Sequence, residues 1–187
     1  MTQRAPVTVA LAGEPVLFTH PALSPAAEAE LRWAWGALQA TTRAGSAAVF
    51  FRGARAMQAG VAPAPAATCA APEAPPLGPI CVGAVASGTG NYLANTALYP
   101  GRVEFYPFMP NNAQARRAPA ARCRCVRRAD DAATRQGILV QPLGTEGVLV
   151  LATGTQRGFT ALDQRWVALL AQKLDSTLDA TFLAPPK

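Results

Sequence analysis

The chain has 187 residues, 50% of them hydrophobic and 15% charged, a size and apolar content that suit one packed core and exclude a wholly disordered chain. No stretch approaches the roughly 18 to 20 apolar residues of a membrane-spanning helix, so the chain as it stands is expected to be soluble. The formal net charge of +6 is local, because seven arginines and two aspartates between Ala115 and Arg135 supply +5 of it, which argues against the spread basic surface of a nucleic-acid binder.

The opening MTQRAPVTVALAGEP has neither the charged n-region nor the continuous apolar h-region of a secretory signal, and residues 1–23 are read as an N-terminal segment. Ser24-Pro25 starts the first helix, serine as N-cap and proline at the first helical position, where a missing N–H costs nothing. Leu31, Trp35, Leu38 and Thr42 then recur at helical spacing as far as Arg43. Ser46–Phe51 and Arg55–Gly60 read as a hairpin turning at Arg52-Gly53. Six prolines among residues 61–79 make that stretch a surface loop.

Ile80–Ala86 is predicted as a buried strand, followed by the turn signal Ser87-Gly88-Thr89-Gly90. Tyr92–Leu98 fits either a strand or a helical turn. Arg102–Tyr106 alternates like a strand, with Val103 and Phe105 on one face and Arg102 and Glu104 on the other. Residues 113–136 form an Arg- and Ala-rich insert without periodicity. Gly137–Pro142 and Gly147–Thr153 bracket a tight link, the strongest hairpin signal of the chain. Thr160 and Asp163 form a capping box for a last helix whose apolar stripe is Val167, Leu170, Leu174 and Leu178, widened by Trp166 and Leu169.

This order predicts an α+β fold, a mainly antiparallel sheet packed against N- and C-terminal helices, as in a GAF-like or PAS-like domain. The expected organisation is a single domain over residues 24–183, with the loop 61–79 and the insert 113–136, and a tail over 184–187.

Cys69, Cys81, Cys123 and Cys125 make no CxxC pair, zinc quartet or haem-attachment motif, and their density is too low for a disulfide framework. Cys81 reads as a small core residue. Gly83 to Gly90 lacks the Lys-Ser/Thr of a P-loop. With His20 the only histidine, neither a nucleophile–base pair nor a metal set can be named, so no catalytic residue and no metal are expected.

Several runs carry a specific likeness: Tyr92-Leu93-Ala94-Asn95, Leu98-Tyr99-Pro100-Gly101-Arg102-Val103-Glu104-Phe105, Pro110-Asn111-Asn112, Gln141-Pro142-Leu143-Gly144, Arg157-Gly158-Phe159-Thr160, Asp163-Gln164-Arg165-Trp166-Val167 and Lys173-Leu174-Asp175. In this order the chain resembles the family of cofactor assembly of complex C proteins, of its two/four type, loosely over residues 12–60 and well over 80–183 outside the insert.

The resemblance implies a non-catalytic assembly factor for the cytochrome b6f complex, a scaffold or chaperone that helps to attach the extra haem to apocytochrome b6. It implies a location on the stromal or cytoplasmic face of a chloroplast or cyanobacterial thylakoid. The implied partners are apocytochrome b6, other haem-attachment subunits and a paralogue in a homo- or heterodimer, with no nucleic acid. No stably bound cofactor is implied, only transient haem. Members carry N-terminal membrane helices that this chain lacks, so membrane contact is expected through such missing helices or through partners. The insert is a second departure, either a true loop or a translated intron, and the longer Pro-rich loop is a third.

On this reading Tyr99, Pro100, Gly101, Arg102, Glu104 and Asn111 are the candidate partner surface, with Arg102 and Glu104 either a polar pair for a partner or haem propionate or a plain surface ion pair. Cys123 and Cys125, flanked by arginines, are either reactive thiols able to hold haem or exposed cysteines of the insert. His20 is either an axial haem ligand or a loop residue. A small-molecule-binding GAF-like sensor is the alternative function and requires a closed pocket between sheet and helices. An RNA-binding module using the Arg-rich segment is a third reading.

Overall fold

The computed structural model describes residues 8–64, 71–110 and 136–182. Its centre is a six-stranded antiparallel sheet of strands β1 (Glu14–Thr19), β2 (Ser46–Phe51), β3 (Ala54–Ala62), β4 (Asn91–Leu93), β5 (Gly137–Leu143) and β6 (Gly147–Thr153), in the spatial order β1-β3-β2-β6-β5-β4. Among the described residues the sheet is joined by helices α1 (Pro25–Thr41), α2 (Pro79–Ser87) and α3 (Ala161–Thr181), with 3₁₀ turns at Thr96–Leu98 and Pro100–Phe105.

The two predicted hairpins meet in the middle of the sheet, where β2 pairs with β6 from Ser46 opposite Ala152 to Phe51 opposite Gly147. Both strands are buried along their whole length. A strand covered on both faces reads as a continuous apolar run rather than an alternating one, which is why SAAVFF and GVLVLAT look alike. Alternation nevertheless sorts their side chains. Ala47, Val49, Phe51, Leu149 and Leu151 face one core with Leu31, Leu38, Val167, Leu170, Leu174 and Leu178 of α1 and α3. Ala48, Phe50, Val148 and Val150 face a second core with Cys81, Ala84, Leu93, Phe105, Phe108 and Met109. The molecule is therefore layered: α1 and α3, the sheet, then α2 and the 3₁₀ turns.

The hairpin turns are chemically determined. Arg52 and Gly53 both hold positive φ, 49° and 74°, as a two-residue hairpin with the right twist demands. Arginine tolerates that strain because its guanidinium is held three ways. It donates to Glu146 at 2.6 Å and to the Phe182 carbonyl at 3.0 Å, and it pairs with Asp179.

Three expectations need correction. Ile80–Ala86 is not a strand but most of α2. Pro79 occupies the first helical turn and Gly88, at φ 64°, ends the helix in the left-handed conformation that a side chain would resist. Arg102–Tyr106 is not a strand either, since the chain from Pro100 to Phe105 winds as a 3₁₀ helix. Finally, the N-terminal segment holds a strand that its sequence does not announce: β1 pairs along β3 as an edge of the sheet, where its Pro15 needs no N–H partner.

Candidate functional site

The run from Leu98 to Glu104 forms a compact knuckle against the N-terminus of α2. Its two charged side chains turn inward to serve the backbone and do not pair with each other. Arg102 donates to the carbonyls of Ala97 at 3.0 Å and Tyr99 at 3.3 Å, and to the Tyr106 hydroxyl at 3.1 Å, locking the two 3₁₀ turns together. The Glu104 carboxylate accepts the N–H groups of Ile80 at 2.9 Å and Cys81 at 3.0 Å. These donors lack intrahelical partners, and a carboxylate there also complements the positive end of the helix dipole. Gly78 permits the approach, because a Cβ at that position would lie 2.4 Å from the Glu104 side chain.

The apolar residues of the knuckle point the other way. Leu98 is 74% exposed, Val103 60% and Tyr99 39%. Of the predicted partner surface, Tyr99, Pro100, Gly101, Arg102 and Glu104 are thus brought together, with the two charged residues half-buried and bonded to the backbone and the apolar groups outward. Asn111 lies outside the described residues.

Cys81 is fully buried beneath Glu104, and burial, reinforced by that carboxylate, pushes its thiol far above the ordinary range, so it packs and does not react. Cys123 and Cys125 lie outside the described residues. His20 sits in the loop between β1 and α1, with Nδ1 accepting the Ala22 N–H at 3.0 Å and its ring edge-on to Phe182 at 5.2 Å. Burial lowers its pKa, opposed by Glu73. Among the described residues no group of three His, Cys, Asp or Glu side chains could hold a metal, and no helix is long and apolar enough to cross a membrane.

A second apolar surface lies on the opposite layer. Ala26, Ala29, Trp33, Gly36 and Ala40 fall on the solvent face of α1, and Leu162 and Leu169 on that of α3. Trp33 is 52% exposed, and Lys173 of α3 stands over its ring at 5.4 Å while pairing with Glu30. Leu169, expected to widen the core-facing stripe, is instead 61% exposed; Trp33 lies outside the predicted stripe of α1, and the signal that could have found it is the Ala and Gly that recur with it opposite the core face of α1. Between sheet and α2, where a sensor would need its pocket, stand Phe50, Phe105, Phe108 and Met109, none more than 1% exposed. A cavity of about 490 Å³ opens instead at the end of the sheet, lined by Phe50, Pro75, Leu77, Val82 and Val85 among others.

Residues 1–116 and 132–174 match the family described as cofactor assembly of complex C, CCB2/CCB4. The chain is also similar to the chloroplastic cofactor assembly of complex C protein CCB4 of Arabidopsis thaliana, 34% identical over 158 residues, or 82% of this chain and 46% of that protein. The chain thus spans about half the length of this curated relative. No solved structure matches it.

Proposed function

The chain belongs to the cofactor assembly of complex C family, CCB2/CCB4, and from that membership we propose that it acts as an assembly factor for the cytochrome b6f complex. In this role it is a non-catalytic scaffold on a GAF-like fold, working at the stromal or cytoplasmic face of the thylakoid in covalent haem attachment to apocytochrome b6. The observation that carries the reading is the match on both sides of the Arg-rich stretch, which takes in the knuckle and the central hairpins alike. The six-stranded antiparallel sheet with the N- and C-terminal helices on one face supports the GAF-like assignment.

A scaffold holds polypeptides, and the α1/α3 layer offers a surface suited to them. Small residues on α1 allow another helix close approach, and Trp33 supplies a protruding aromatic anchor. The charges bordering it are already matched, Glu30 with Lys173 and Glu28 with Arg32. We assign this face to pairing with a paralogue of the same fold, and the assembled pair to apocytochrome b6 and the other haem-attachment subunits, with haem touched only transiently.

The test is haem staining of denatured membrane proteins from cells lacking the gene. Loss of the covalently held haem from the cytochrome b6 band, restored by the wild-type gene, is the expected result. Normal staining of that band overturns the assignment.

A further inference from the structure

The cavity of about 490 Å³ at the end of the sheet falls within the range of about 300–1,000 Å³ that ligand sites occupy. Stretches far apart in sequence bound it: the end of β2 with Phe50 and Phe51, residues 74–77 leading into α2, and the β5–β6 link. Among the described residues that line it, only Thr145 and Glu146 carry polar side chains. Glu146 gives Oε2 to the Arg52 guanidinium at 2.6 Å, while its Oε1 accepts from no described residue and the side chain is 48% exposed. Arg52 also pairs with Asp179, and Asp175 feels both acids, so the described carboxylates at this corner outnumber the cation between them. Arg55, the cation against the Phe50 ring, is 3% exposed, donates to the Ala71 carbonyl and does not line the cavity.

We propose that this cavity receives a bulky apolar side chain of a partner polypeptide, with an adjoining lysine or arginine of that partner held by Glu146. The charge of the occupant follows from the rim. A carboxylate with an unused oxygen beside an apolar recess favours a cation and repels an anion. The aliphatic stem of a lysine or arginine can lie along the apolar wall while its head reaches the carboxylate. That the occupant is a polypeptide follows from where the apolar lining ends. Val82, 54% exposed, and Ala86 line the cavity and continue onto the open side of α2, where a Cβ on Gly83 would meet nothing within 4 Å. A small molecule is held by enclosing about 70–90% of its surface, whereas a lining that runs out onto a free helix suits an occupant that runs on as well. Pro75 and Pro76 stiffen one wall, which lowers the cost of ordering it on binding. The site lies across the sheet from the exposed face of α1 and α3, so both can be engaged at once. This goes beyond the assembly reading and does not depend on it.

The experiment is titration of the isotope-labelled full chain with the peptide acetyl-Ala-Leu-Phe-Arg-Ala-amide, followed by amide NMR shifts. Wild type is expected to show saturable shifts centred on Val82, Val85, Thr145, Glu146 and Gly147, with a dissociation constant of about 1 mM or tighter. Exchanging the peptide's arginine for glutamate, or its leucine and phenylalanine for alanine, is expected to weaken binding about tenfold. Val82→Lys sets a cation at the mouth on an exposed position, so its melting temperature should match wild type. Glu146→Gln removes the charge and keeps an acceptor for Arg52. Each variant is expected to bind the peptide about fivefold more weakly. Absence of saturable shifts overturns the proposal. Binding that either variant leaves unchanged, or that the peptide keeps without its apolar residues, overturns it as well. If the neutral dye N-phenyl-1-naphthylamine shifts the same amides and the peptide does not displace it, the cavity belongs to a small molecule and the proposal fails.

Discussion

Glu104 reaches back 24 and 23 residues to take two N–H groups at the start of α2, so a single carboxylate ties the knuckle to the helix. Replacing it with alanine leaves both donors without their acceptor, and Glu104→Ala is expected to lower stability by about 1–3 kcal/mol in urea unfolding. Alkylation of Cys81, which lies beneath it, should accelerate in parallel. His20 acts in the opposite sense on acidification. Its folded pKa lies below the ordinary 6.5, so the unfolded chain binds the proton more readily and the stability present above pH 6.5 is lost as the pH falls below it. His20→Asn keeps an acceptor near the Ala22 N–H without an ionisable ring, and should flatten the decline in melting temperature between about pH 6.5 and 5.

Helix α2 shows what local sequence can and cannot settle about an element. ICVGAVA is apolar throughout, so neither a period of two nor one of 3.6 emerges, and its β-branched residues tip the reading toward a strand. The deciding groups are Pro79 and Gly88 at its ends, which were legible, and Glu104, which was not because it lies in another segment. RVEFY misleads for a related reason: wound as a 3₁₀ helix it parts Val103 and Phe105, 60% and 1% exposed, while Arg102 uses its side chain to hold 3₁₀ carbonyls. The two central hairpins and α3 were legible because their signals are local: Arg52-Gly53, the Leu143–Gly147 link, and Thr160 accepting the Asp163 N–H at 3.1 Å while Asp163 accepts the Thr160 N–H at 2.7 Å. That Arg102 and Glu104 bond to backbone groups and not to each other was not legible, because sequence does not tell which way a charged side chain turns. Gly83 lies inside α2 with open space where a Cβ would go. Gly83→Ala should therefore stabilise the protein by about 0.5–1 kcal/mol, seen as a higher urea midpoint with an unchanged slope.

At the scale of the molecule, the exposed face of the α1/α3 layer and the α2 and knuckle layer lie on opposite sides of the sheet, so the first can be altered without touching the second. If the α1/α3 face carries the proposed pairing, Trp33→Glu/Leu169→Glu abolishes co-purification with the paralogue and lowers the mass read by light scattering. Both side chains are exposed, so the melting temperature of the isolated chain should stay close to wild type. The central pairing of β2 with β6 has a further consequence, in the order of events during synthesis. Ser46 finds its partner in Ala152, so the first hairpin waits for about a hundred residues of chain before its inner edge can be closed. A nascent chain stopped anywhere before β6 exposes Phe50 and Phe51 with no sheet to cover them, a natural substrate for holding chaperones. Until β6 is made, about four fifths of the way along the chain, the first hairpin depends on such cover.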